Sequence, residues 1–250
     1  MLFRSVRGLI ERENFLRPFK LLVGDHFRGR KIELAALDNY VSGSGEVHSL
    51  TERPPLLIHG PGGMGKSTLV ARFILDIFGK GSDATPVVYL DCDRPGLVAE
   101  EPVTMLAEAV RQLGLQFPSF QRTAQSLRSA WLGEIARQRS EASDELESVV
   151  LESGASRGRD QFLEEFGVFV DDLRLGARPV LLVIDTFEEL QYRSRDFVAE
   201  MFHFLDEMQQ RLPRLRTVLS GRNPVPDFTW EPLKLRELDQ IGRASCRERV

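Results

Sequence analysis

The nonapeptide Gly60-Pro61-Gly62-Gly63-Met64-Gly65-Lys66-Ser67-Thr68 constrains this chain more than any other feature. It matches G-x-x-x-x-G-K-[ST] in full and sits in the required context. The apolar run Leu56-Leu57-Ile58-His59 ahead of it reads as a short buried strand. Leu69, Val70, Phe73, Ile74 and Ile77 after it recur at helical spacing, and Gly79 is expected to stop that helix. A loop between strand and helix that must wrap a phosphate needs backbone N–H groups pointing inward, and glycines at 62, 63 and 65 permit that approach. The helix that opens at Lys66 offers its N-terminus to the anion. Lys66 is expected to reach the β- and γ-phosphates, Ser67 to ligate Mg²⁺, and Thr68 to contact the α-phosphate or cap the helix. ATP or GTP with Mg²⁺ is therefore the expected ligand.

The remaining pattern alternates strands and helices, which predicts an α/β fold with a parallel sheet flanked by helices and an inserted helical element. Strands are expected at Val87-Val88-Tyr89-Leu90-Asp91, at Pro179-Val180-Leu181-Leu182-Val183-Ile184-Asp185, at Thr217-Val218-Leu219-Ser220 and near Leu233 and Leu235. The run ending at Asp185 is apolar throughout, as in a strand covered on both faces. Ile32, Leu34, Ala35, Leu37, Tyr40 and Val41 suit one helical face. A helix from Pro102 is expected to end at Gly114. Residues 121–152 are expected to be helical, with Leu127, Trp131 and Ile135 on one face, and Gly154-Ala155-Ser156-Arg157-Gly158 to be a loop. Phe162, Phe166, Phe169, Val170 and Leu173 predict a further amphipathic helix, and Phe197 to Leu212 another. Residues 1–23 read as an N-terminal helical segment or linker, and 24–240 as the nucleotide-binding domain.

Charge and composition narrow the function. The formal charge is −4 over 250 residues, with 42% hydrophobic and 28% charged residues. That balance fits a soluble globular chain and argues against a general nucleic-acid binder. There is no run of eighteen apolar residues and no signal-peptide pattern, so neither membrane nor export is expected. Two cysteines, Cys92 and Cys246, give neither a disulfide framework nor zinc spacing, and a reducing, cytoplasmic setting fits. Residues 241–250, IGRASCRERV, have no hydrophobic period and resemble the translation of a sequencing adapter. The expectation is that native sequence stops near Gln240. Since the decapeptide carries three Arg and one Glu, residues 1–240 carry −6.

Three further groups are candidates for chemistry. Asp185 closes its strand as a Mg²⁺-holding acid would, at the end of a parallel strand where ligand crevices form. Glu188 and Glu189 follow; either could act as general base on water, and either could simply favour a helix N-terminus. Arg193 and Arg195 could serve a neighbouring subunit as arginine fingers or be solvated charges. His59, Cys92, Trp131 and Trp230 read as packing residues.

On these residues the chain resembles a family. Residues 60–68 look like the phosphate loop of STAND-class signalling NTPases, which include the NACHT and NB-ARC groups. Ile184-Asp185-Thr186-Phe187-Glu188-Glu189-Leu190 is similar to the NACHT-type Walker B motif, with Thr186 larger than the usual small residue. Phe27-Arg28-Gly29-Arg30, followed by Glu33-Leu34, resembles the box that STAND and AAA-type ATPases place near the adenine. Val218-Leu219-Ser220-Gly221-Arg222 resembles the strand-end sensor element of these families. The resemblance implies that Gly29 and Arg30 bind nucleotide and that Arg222 senses the γ-phosphate; without it, Arg222 reads as an exposed turn residue. It also implies an ADP-held resting state, slow ATP turnover, a homo-oligomer in the ATP state, and effector or sensor domains beyond Gln240. The competing expectations are an AAA-type ATPase that loads or remodels DNA-bound complexes, a phosphotransferase whose helical insert is an acceptor lid, and a binding-only scaffold.

Overall fold

A computed structural model of the chain describes residues 2–25, 27–43, 45–81, 84–93, 102–144, 149–193, 195–225 and 228–235. In chain order these form α1 (Leu2–Val23), α2 (Lys31–Ser42), β1 (Leu56–His59), α3 (Lys66–Gly79), β2 (Val87–Asp91) and α4 (Pro102–Gln116). After a 3₁₀ turn at Pro118–Phe120 come α5 (Gln121–Asp144), α6 (Val149–Asp172), β3 (Val180–Asp185), α7 (Glu188–Arg193), α8 (Arg195–Arg211), β4 (Leu215–Gly221) and β5 (Glu231–Lys234). The segment 241–250 lies outside the described residues.

The five strands make one parallel sheet in the order β2-β3-β4-β1-β5. Successive side chains on a strand face opposite ways, so each strand feeds two cores. Leu57, Leu90, Leu182, Ile184 and Leu219 pack with α4, α5, α6 and α8 on one face. Leu56, Ile58, Tyr89, Leu181, Val183 and Val218 pack with α1, α2 and α3 on the other. Burial on both faces explains why these strands read as continuous apolar runs. Only β5 is largely exposed, and Pro232 within it suits the edge, where its missing N–H costs no ladder bond.

Chain order places the site. β1 lies between β4 and β5, whereas the chain leaves it through α3 for β2 at the far edge. The direction of winding thus reverses beside β1, and such a switch point opens a crevice at the strand C-termini. Tyr40 ties α2 to the sheet: its hydroxyl donates to the Thr217 carbonyl at 3.0 Å and the Pro54 carbonyl at 3.1 Å. Burial pushes the Tyr40 hydroxyl up to about 12, against the pull of nearby Arg216. Among the described residues, no helix is long and apolar enough to cross a membrane.

Three local expectations are corrected. Gly114 lies inside α4 rather than after it. A Cβ there would come within 2.6 Å of the Ala124 Cβ, so the glycine serves the close crossing of α4 and α5. Residues 154–158 continue α6 instead of forming a loop. Helix propensity is a weak prior, and α6 runs against α5, with Gln138 Nε2 3.5 Å from where a Gly158 Cβ would stand. Ile32 is 83% exposed. The buried stripe of α2 runs through Leu37, Tyr40 and Val41, and a residue five positions before Leu37 falls roughly 140° away around the helix.

Candidate functional site

Three adjacent strands deliver the site. β1 ends in the glycine-rich loop, β3 in Asp185 and β4 in Gly221 followed by Arg222. Gly62, Gly63, Gly65, Lys66, Ser67 and Thr68 line one wall of a cleft of about 320 Å³, and Asp185, Thr186, Glu188 and Arg222 line the other. The loop returns tightly. A Cβ on Gly60 would stand 3.1 Å from the Leu235 carbonyl oxygen, and Gly65 caps α3 with φ +80°, a conformation that disfavours any residue with a Cβ. The N-terminus of α3 therefore opens onto the cleft, with its unpaired N–H groups available to an anion.

Lys66 folds back on the loop. Its ammonium donates to the Gly60 carbonyl at 2.8 Å and the Pro61 carbonyl at 3.2 Å. Burial lowers its pKa, Glu188 and Asp185 raise it, and Arg222 lowers it further. Arg30 holds the loop from outside. Its guanidinium, buried with its residue 9% exposed, donates to the Met64 carbonyl at 3.0 Å and to Glu33 at 2.8 Å. Gly29 and Arg30 both have positive φ, 75° and 59°, which turn the chain into α2. Arg30 thus acts on the phosphate loop from 34 residues away in sequence, a contact that motif spacing could not reveal.

Asp185 is 2% exposed. One carboxylate oxygen accepts from the Thr186 N–H at 2.9 Å, and the other from the Tyr89 hydroxyl at 2.8 Å. Thr186 holds φ 57°, an uncommon conformation for a β-branched residue, and its hydroxyl donates to Asp91 at 3.0 Å. Strain of this sort gathers at functional sites. Neither Tyr89 nor Asp91 was a sequence candidate. The one signal available was that Asp91, like Asp185, closes an apolar strand.

The two glutamates part company. Glu188 starts α7 at 5% exposure and lines the cleft, whereas Glu189 is only half-buried and is absent from the lining. Glu188 Oε1 accepts from Arg222 Nε at 2.9 Å, and Glu188 Oε2 is buried without a partner. Arg222 itself is 56% exposed along its side chain and faces Gly62 across the cleft. His59 packs edge-on against Trp230, as expected of a strand-end filler. The side chains of Arg193 and Arg195 lie outside the described residues.

The donor set suits a hard divalent cation: a buried carboxylate, the Ser67 hydroxyl and an orphaned carboxylate oxygen, all oxygen, beside a phosphate loop. Asp185 and Ser67 would hold Mg²⁺. The arrangement can therefore cradle a polyphosphate, hold a metal next to it and present a base.

A family model described as an AAA ATPase domain matches residues 26–218. Among solved structures, the chain is similar to the Walker-type ATPase PABY2304 of Pyrococcus abyssi, with 15% identity, a TM-score of 0.45, and coverage of 90% of this chain and 60% of that one. It is similar to Cdc6p from Pyrobaculum aerophilum at 15% identity and a TM-score of 0.46, covering 86% of this chain and 48% of that one. A DNA replication initiation factor matches at 14% identity and a TM-score of 0.38, covering 90% and 51%. The chain thus spans 48% to 60% of the length of these structures. No curated protein matches it significantly.

Proposed function

The chain belongs to the AAA ATPase domain family, and on that premise we propose a Mg²⁺-dependent, gated ATPase that works as a regulatory switch of the STAND type. The observation that carries this is the Glu188–Arg222 pair at 2.9 Å. The group best placed to activate water is bonded to the group best placed to read a γ-phosphate. A terminal phosphate that draws Arg222 away frees Glu188, so hydrolysis starts only after the triphosphate has been sensed.

The roles follow from placement. The loop N–H groups from Gly60 to Thr68 and the N-terminus of α3 bind the phosphates. Lys66 leaves its two loop carbonyls for the β- and γ-phosphates. Mg²⁺, when bound, neutralises charge on the phosphate oxygens. Asp185 and Ser67 would hold that ion, and Thr186 and Tyr89 hold Asp185 in place. Glu188 accepts the proton of the attacking water, and Arg222 stabilises the negative charge that develops on the transferred group. Arg30 keeps the loop shaped for this. ADP holds the resting state, and ATP promotes assembly into a homo-oligomer that acts through effector or sensor domains. Residues 24–240 form the motor.

The decisive experiment is ATP binding and turnover in three variants. Lys66→Ala should lose triphosphate affinity, and wild-type binding in it would sink the nucleotide site. Glu188→Gln should bind ATP and release no phosphate, while Glu189→Gln should turn over normally. Light scattering with ADP and with a slowly hydrolysed ATP analogue tests the switch: turnover of many per second with one oligomeric state in both nucleotides would refute it.

A second reading has one observation in its favour. Arg174, Arg178, Arg211 and Arg214 surround a depression of about 280 Å³ at the sheet end opposite the cleft, with Glu46 and Asp171 among them. Such a patch could meet DNA phosphates, as an AAA-type loader would require. Duplex DNA affinity that falls steeply with salt would favour this reading, and its absence would remove it.

A further inference from the structure

A cleft of about 450 Å³ lies apart from the nucleotide cleft. It lies between α1 and the α4–α5 pair. Phe15, Pro18 and Phe19 of α1 form its apolar wall, and Arg111, Gln121 and Arg128 stand among the polar residues opposite. Its size falls within the range of small-molecule sites.

The pairing of its polar groups points to what it would take. Arg111 is bound by both oxygens of Glu108, at 2.6 and 2.7 Å. Glu11 accepts from Gln121. Arg128 lines the same cleft half-buried and has no hydrogen bond or ion pair among the described residues, the nearby Glu108 being already occupied by Arg111 and Gln112. Glu108 and Glu11 both act electrostatically in this cleft, yet among the described residues Arg128 is the guanidinium left without a hydrogen bond beside an aromatic wall. Pro18 adds an acceptor: lacking an N–H, it leaves the Asn14 carbonyl without its usual helical donor.

Tyr89 also lines the cleft. Its ring meets Phe19 of α1 edge-on at 4.9 Å, its backbone N–H and carbonyl are both clasped by Gln112 at 2.7 Å, and its hydroxyl donates to Asp185. A molecule seated against Phe15 and Phe19 thus presses on the residue that occupies one oxygen of the metal-site carboxylate.

We propose that the cleft between α1 and α4–α5 is a second ligand site, for a small organic anion with a flat apolar body, and that Tyr89 transmits its occupancy to Asp185. The anionic group pairs with Arg128 and the apolar body lies on Phe15 and Pro18. When the ligand shifts the Tyr89 ring, the hydroxyl leaves or tightens on Asp185, and the affinity of the nucleotide site for Mg²⁺ changes. By linkage the effect is reciprocal. The coupling rests on Asp185 being the Mg²⁺ ligand; occupancy of the cleft does not.

The probe is 1-anilinonaphthalene-8-sulfonate, an aromatic sulfonate whose fluorescence rises on entering an apolar site. One saturable site per chain is expected without nucleotide, weakened about tenfold in Arg128→Ala and less in Arg128→Lys. Far-ultraviolet circular dichroism of both variants reports whether the fold survives. Unchanged probe affinity in a folded Arg128→Ala overturns the site. For the coupling, Mg·ADP affinity is titrated with and without saturating probe. A shift of threefold or more is expected in the wild type and none in Tyr89→Phe, which keeps the ring and the probe site. An equal shift in Tyr89→Phe, or no shift in the wild type, overturns the route through Tyr89. If Asp185 holds no metal, the coupling vanishes while probe binding and its dependence on Arg128 persist.

Discussion

Removal of the Arg222 side chain tests the gate most directly. Glu188 is 7% exposed along its side chain, and among the described residues its bonded partner is Arg222 Nε at 2.9 Å. Stripping the partner from a fully buried pair costs about 3–5 kcal/mol, because a charge is left behind without compensation. Arg222 is 56% exposed, so water screens much of the attraction and can replace the lost donor. The expected coupling is therefore about 1–2 kcal/mol, between the buried and surface limits. Urea unfolding of the wild type, Arg222→Ala, Glu188→Gln and the double variant closes the cycle. Arg222→Ala should destabilise the nucleotide-free protein by that amount and have little effect once Glu188 is Gln. Repeating the cycle with a saturating, non-hydrolysable ATP analogue adds the mechanistic test. The γ-phosphate should draw Arg222 away and shrink the coupling toward zero. A coupling that is absent without nucleotide, or equally large with the analogue, refutes the gate.

Three further outcomes are expected. Tyr40, with its hydroxyl raised to about 12 in the fold, should stabilise the protein fully below pH 10 and lose up to about 3 kcal/mol between pH 10 and 12; urea midpoints measured across that window should fall in the wild type more than in Tyr40→Phe. Arg30→Ala removes the buried donor to Met64 and the partner of Glu33, and should cost about 2–3 kcal/mol in thermal or urea unfolding together with at least tenfold in ATP affinity, whereas equal ATP affinity would confine Arg30 to the fold. Thr186→Gly should relieve the positive φ but remove the hydroxyl that donates to Asp91, so stability should change by less than about 1 kcal/mol while the Mg²⁺ requirement in hydrolysis rises several-fold.

Much of the phosphate site was legible in the chain because its chemistry is local. A loop that must present N–H groups needs glycines at fixed offsets, and Lys66 and Ser67 follow because the helix begins there. Strands covered on both faces betray themselves as unbroken apolar runs, so β1 and β2 fall where the pattern put them and β3 begins one residue later, after Pro179. The sequence also marked Asp185, since an acid ending such a run must lie at a strand terminus. What it left open was decided by packing between distant segments. Glu188 and Glu189 are chemically alike and adjacent, and only the turn of α7 buries the first beside Arg222 and leaves the second outside the cleft. Arg30 clamps Met64, and Tyr89 bonds Asp185, because sheet order and helix docking bring together residues 34 and 96 positions apart. The same holds for Gly114 and Gly158, which local propensity reads as breaks and a neighbouring helix keeps helical. Backbone chemistry with a short repeat is written into sequence; the pairing of a buried charge is settled only when the far side of the fold arrives.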